Sequence, residues 1–168
     1  MGDVRVVSID SSTKKTGMAL YVNGEYRDHI LIDNSHIRDI DERINMMGKM
    51  IMEQLDWWLP SIIYIEEPKG EGRNVELVRK LCTIIGIVRG WAISHSTFFQ
   101  EVKPSVWRKY VGISQGGKKR DELKAASVAL VKAAYKIDVN DDVADAICIG
   151  KAMVNRYGNK ENNNNDGR

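Results

Sequence analysis

Two acidic residues close apolar runs in this chain: Asp10 follows Val-Val-Ser-Ile, and Glu66 follows Ile-Ile-Tyr-Ile. A carboxylate at the tip of an apolar strand is costly unless it meets solvent, a cation or a hydrogen-bond donor. A second acidic group comes late, in Asn140-Asp-Asp-Val-Ala-Asp-Ala-Ile-Cys-Ile-Gly150. There Asp142 and Asp145 are spaced i, i+3, so on a helix they share one face. Placed in a first turn, they are favoured by the helix dipole. One at a time these acids have ordinary explanations. Asp142 suits an N-cap or first turn, Asp145 a surface, Asp10 the start of a turn beside Ser11 and Ser12, and Glu67 is a solvated neighbour. Four converging carboxylates, however, would repel one another unless hard cations lay between them. Mg²⁺ takes oxygen ligands and keeps several waters, and it is poorly matched to sulfur or imidazole. Two such ions roughly 4 Å apart can activate a water and stabilise the leaving oxygen of an in-line phosphoryl displacement. Asp10, Glu66, Asp142 and Asp145 are therefore the candidate catalytic and metal-binding set, with two Mg²⁺ ions as the expected cofactor.

Such chemistry needs a phosphate, and one segment is suited to hold it. Between Lys103 and Arg120 lie Lys103, Arg108, Lys109, Lys118, Lys119 and Arg120, with no Asp or Glu among them. The net charge of +2 hides this local positive field. Trp107 and Tyr110 are interleaved, as on phosphate-binding surfaces, although core packing explains these two aromatics at least as well. Gly116-Gly117 lets backbone approach a phosphate. Lys69 and Arg73, in the glycine-containing loop 69–74, are weaker candidates for the same role. The expected nucleic-acid contacts are thus Lys69, Arg73, Arg108, Lys109, Lys118, Lys119 and Arg120. His29, His36 and His95 show no mutual spacing that suggests a metal site.

The elements that must position these groups follow from periodicity. Residues 4–9 read as a strand ending at Asp10, 18–22 as a second, and 25–32 as a third after the Asn23-Gly24 hairpin signal. From 39 to 58 the period changes. Ile40, Ile44, Met47, Ile51, Leu55 and Trp58 recur at helical steps, and Pro60 follows. Residues 61–65 form a short apolar run suited to a buried strand parallel to the first. A helix over about 75–95, a strand at 98–102, a short helix opened by Pro104, and helices over about 121–135 and 142–157 complete the order. In the last helix Ala144, Ala146 and Gly150 are small enough to allow close approach to the sheet. The expected fold is α/β, a mixed five-stranded sheet flanked by helices. One domain covers 1–157, followed by a polar, Asn-rich tail at 158–168 that is expected to be disordered.

Composition is that of a globular chain: 168 residues, 43% apolar and 29% charged. No apolar run approaches a membrane span, and the N-terminus has no secretion-signal pattern. Cys82 and Cys148 both lie in apolar helical patterns and are expected to be buried, reduced thiols, which suits a cytoplasmic setting.

With Ser-Ile-Asp10-Ser-Ser and Thr16-Gly17, then Tyr-Ile-Glu66-Glu-Pro, then Asp142-Val-Ala-Asp145-Ala, the chain resembles the RuvC family of Holliday-junction resolvases over about 150 residues. The resemblance implies a ribonuclease-H-like fold, a homodimer, and paired symmetric nicks in four-way junctions and other branched DNA. It also implies dependence on Mg²⁺ or Mn²⁺ and 5′-phosphate products. By position it makes Asp10, Glu66, Asp142 and Asp145 the metal-binding acids. It makes Lys118, six residues after Gly112, the basic residue beside the scissile phosphate. The small size and Asn-rich tail suit a phage or mobile-element member. Two rivals share the pattern: a nuclease of the same fold acting on RNA, and a branched-DNA-binding module without catalysis.

Overall fold

The computed structural model describes residues 2–68 and 74–163, with 157–163 as backbone only. Ten elements follow in the expected order: β1 (Arg5–Asp10), β2 (Lys15–Val22), β3 (Glu25–Asp33), α1 (Ile40–Trp58), β4 (Ile62–Glu66), α2 (Val75–Ser94), β5 (Phe98–Val102), α3 (Pro104–Tyr110), α4 (Arg120–Tyr135) and α5 (Asp141–Asn163). The strands form one sheet in the order β3-β2-β1-β4-β5. The first three make an antiparallel meander, with Asn23 and Gly24 at positive φ in the β2–β3 turn. β4 joins β1 in parallel, after the α1 crossover, and β5 joins β4 in parallel.

Strand alternation sorts the core onto two faces. Val7, Ile9, Met18, Ile63 and Ile65 pack against Ile44, Met47, Ile51 and Leu55 of α1 and Ile84, Val88 and Trp91 of α2. Val6, Ala19, Tyr21 and Tyr64 pack on the other face, against Trp107, Val131 and the inner side of α5. The sheet is thus covered on both sides, which is why β1 and β4 read as nearly continuous apolar runs. Asp39 caps α1, its carboxylate accepting from Glu42 N at 2.8 Å, and Leu59 ends the helix at φ 47° just before Pro60.

Two expectations need correction. Cys82 is exposed, while Cys148 is buried. The buried stripe of α2 runs through Leu81, Ile84, Ile85, Val88, Trp91 and Ala92, and residue 82 lies a helical step away from it. The last helix continues past Tyr157 to Asn163, into the segment expected to be a tail. Residues 164–168 lie outside the described residues. Among those described, no helix is long and apolar enough to cross a membrane.

Candidate active site

The two strand-tip acids meet because of register and parity. β1 and β4 run side by side in parallel, with Ile9 opposite Ile65, so Asp10 and Glu66 are the next residues along each strand. Val6 and Ser8 face α5, as do Ile62 and Tyr64. Alternation puts Asp10 and Glu66 on that same side.

Helix α5 supplies the other pair because it lies unusually close to the sheet. Ser8 Oγ donates to Ala146 O at 2.7 Å, and Tyr21 OH donates to Ile147 O at 2.7 Å. Two glycines make the approach possible. A Cβ on Gly150 would come within 2.6 Å of Ser8 Oγ, and one on Gly17 within 2.7 Å of Val143 N and still nearer the Asp142 carbonyl. Gly17 is paired with Asp10 across the β1–β2 ladder, so the first turn of α5 is pinned directly over the strand tip. Capping falls to Asn140, whose Oδ1 accepts from Val143 N at 3.0 Å. Asp142 is therefore not the N-cap, and its carboxylate is directed into the site, 3.5 Å from Asn140 Nδ2.

Asp10, Glu66, Asp142 and Asp145 line one cavity of about 660 Å³, together with Glu67, Lys14, Arg108, Lys118, Arg120 and Lys124. The crowding shows in their proton affinities. Burial, then the charges of Glu66, Asp145 and Asp142, hold the Asp10 carboxyl well above the usual carboxylate range, against the pull of Lys124. Burial pushes Asp145 up to about 6, opposed by the Ser127 hydroxyl and helped by the charge of Glu66. Asp142 is raised by burial and by Asp141, while Lys124, Lys15 and Arg120 pull it down. Lys124 is ion-paired with Asp141 and stands 3.8 Å from Asp142 Oδ1.

The expected basic residues divide. Lys118 and Arg120 are exposed and sit on the cavity lining. Arg108 also lines it, but as a buried side chain whose guanidinium lies 4.7 Å from the Trp107 ring centroid, not as part of an open surface. Lys109 and Lys119 are exposed and do not line the cavity. Lys69 and Arg73 lie outside the described residues. Of the two aromatics, Trp107 is fully buried and Tyr110 is exposed. Sequence reasoning missed Lys14, Lys124 and the bond from Trp107 Nε1 to Glu66 Oε2, 2.7 Å long. The one signal for Lys124 was its place one turn after Arg120 on α4.

The donor set suits a hard cation. Asp145 Oδ1 is buried with no hydrogen-bond partner, a cost that a positive charge in the cavity would relieve. Every acidic ligand candidate is an oxygen donor, and among the described residues no Cys or His lines the cavity. Among the described residues, no three acidic, histidine or cysteine side chains already close around a single point. Mg²⁺ ordinarily keeps several waters and is held by one or two carboxylates plus substrate phosphate.

Residues 4–154 match the family model described as Lactococcus phage M3 protein. No curated protein matches the chain by sequence. Among solved structures, Thermus thermophilus RuvC is similar at TM-score 0.69 and 18% identity, covering 92% of this chain and 97% of that one. T. thermophilus RuvC in complex with a Holliday junction substrate gives TM-score 0.68 at 16% identity, covering 89% and 91%. The yeast mitochondrial Holliday junction resolvase gives TM-score 0.60 at 14% identity, covering 90% and 78%. The fold is accordingly that of RuvC, the ribonuclease-H-like arrangement implied by the sequence motifs.

Proposed function

The chain belongs to the family described as Lactococcus phage M3 protein, and we propose that it is a divalent-metal-dependent endonuclease that resolves Holliday junctions and related branched DNA. The observation that carries this reading is the convergence of Asp10, Glu66, Asp142 and Asp145 on one cavity with a cationic margin. Asp10, Glu66, Asp142 and Asp145 are the residues that would hold the metal, with Mg²⁺ as the expected ion and Mn²⁺ as a substitute. Two such ions would supply Lewis-acid charge for in-line attack of water at phosphorus, leaving 5′-phosphate and 3′-hydroxyl ends.

The chain's own residues supply position and charge. Lys118 and Arg120 at the margin meet the incoming phosphate and offset its charge. The buried Arg108 adds a fixed positive group at the inner wall, where low dielectric makes it count for more. Lys109 and Lys119 are exposed and serve the backbone of the flanking duplex arms. Lys69 and Arg73 are proposed as further phosphate contacts on their charge alone. A homodimer would set two such sites on opposite strands, its two-fold axis matching that of a four-way junction. The Holliday junction bound to the Thermus structure supports this choice of substrate.

The test is Asp10→Asn, assayed with Mg²⁺ on a synthetic four-way junction, a linear duplex of the same sequence and a structured RNA. The proposal expects wild-type nicking of the junction above both other substrates and loss of nicking, with junction binding retained, in the variant. Unchanged nicking by Asp10→Asn, or preference for RNA, would overturn it.

A further inference from the structure

Trp107 has no part in holding metal or phosphate as described above, yet it touches the site. It is fully buried on α3, in the core shared with α4 and α5. Its indole Nε1 nevertheless points at Glu66 and donates a 2.7 Å hydrogen bond to Oε2 across 41 residues of sequence. An indole N–H can only donate, so this contact takes one lone pair of the carboxylate and sets the plane in which the group lies. The ring itself has little freedom. Core side chains pack around it, the Arg108 guanidinium lies on it, and the turn after α3 is tied back by Ile113 N donating to Arg108 O at 2.9 Å.

We propose that Trp107 is a positioning residue, whose indole N–H orients the Glu66 carboxylate for divalent-cation binding. This rests on reading the acid cluster as a metal site. Hydrogen bonds that orient a ligating group are commonly worth about 10–100-fold in metal affinity. Glu66 sits at a strand end whose backbone is fixed by β1 and β5, so its remaining freedom is rotation of the side chain. That rotation is what the indole restrains.

The experiment is a Mn²⁺ titration, read as free Mn²⁺ by electron paramagnetic resonance, on wild type, Trp107→Phe, Glu66→Ala and the double variant. Trp107→Phe keeps an aromatic ring and removes the donor. Its Mn²⁺ Kd is expected to rise about tenfold, and the substitution is expected to add nothing once Glu66 is Ala. An unchanged Kd in Trp107→Phe, or an equal loss in both backgrounds, overturns the positioning role. A second readout does not depend on Trp107→Phe folding. Among the four indole resonances of the ¹⁵N-labelled protein, one is expected to shift in Glu66→Ala and on addition of Mg²⁺ to wild type. If none responds to Glu66→Ala, the bond does not form and the proposal falls. If wild type binds no Mn²⁺, or Glu66→Ala does not weaken binding, the metal-site reading fails and takes this proposal with it. A weakened Glu66→Ala beside an unaffected Trp107→Phe overturns the positioning role alone.

Discussion

Gly17→Ala puts a methyl carbon where the backbone of α5 already lies. The new Cβ would stand 2.7 Å from Val143 N, and closer still to the Asp142 carbonyl, against about 3.4 Å for an ordinary contact. Both obstacles are main-chain atoms and neither can rotate away. The first turn of α5 must therefore retreat by roughly 1 Å, and Asp142 and Asp145 go with it. Overpacking of this kind costs about 2 kcal/mol, or roughly 4–8 °C in Tm for a chain of this size. The effect on catalysis should be larger, because a misplacement of about 1 Å at a reacting centre costs on the order of 10²-fold. The assay is single-turnover nicking of a labelled four-way junction in Mg²⁺ below the variant's Tm, with binding measured separately in its absence. Binding should survive while nicking falls about 100-fold. Nicking within twofold of wild type by a folded Gly17→Ala protein would refute the claim that contact between α5 and β2 sets the site.

Further outcomes follow from individual residues. Asp145 titrates near 3.8 when unfolded and near 6 when folded, so the native state holds its proton more tightly and metal-free stability falls as pH rises through that window, by up to about 3 kcal/mol. Asp145→Asn should therefore be more stable than metal-free wild type at pH 7.5, with the gap in Tm closing towards pH 4; a gap that does not change with pH contradicts this. Lys118→Ala should weaken junction binding and lower the slope of log affinity against log salt by about 1; an unchanged slope would remove Lys118 from the phosphate contacts. Asn140→Ala removes the cap bond to Val143 N and should cost about 1 kcal/mol, seen as a Tm lower by about 2–4 °C.

Much of this arrangement was legible because it rests on periodicity and turn chemistry. Alternating apolar residues in β1 and β4, the helical steps of α1 and the Asn23-Gly24 turn declare themselves locally, and strand parity carries Asp10 and Glu66 to one side. Ala144, Ala146 and Gly150 announced the approach of α5 to the sheet, whereas the matching room that Gly17 leaves on β2 shows only in three dimensions. What stayed hidden depends on three-dimensional reach between distant polar groups. Nothing in the sequence near Trp107 signals that its N–H meets a carboxylate on β4, and nothing near Arg108 distinguishes a guanidinium turned inward over that ring from one on an open surface. Lys124 is an ordinary helix lysine until α4 packs beside α5 and brings it to Asp141 and Asp142. Cys82 is the opposite case. The α2 stripe through Leu81, Ile84, Ile85 and Val88 already excluded it, had its rotation been counted residue by residue.

The central claim is that four carboxylates from β1, β4 and α5 share divalent cations. Anomalous scattering from a crystal soaked in Mn²⁺ tests it most directly. Peaks should appear between Asp10, Glu66, Asp142 and Asp145, and Mg²⁺ in excess should displace them. Ordered Mn²⁺ found only elsewhere on the molecule, with this cavity free of anomalous density at millimolar Mn²⁺ and neutral pH, would contradict the account.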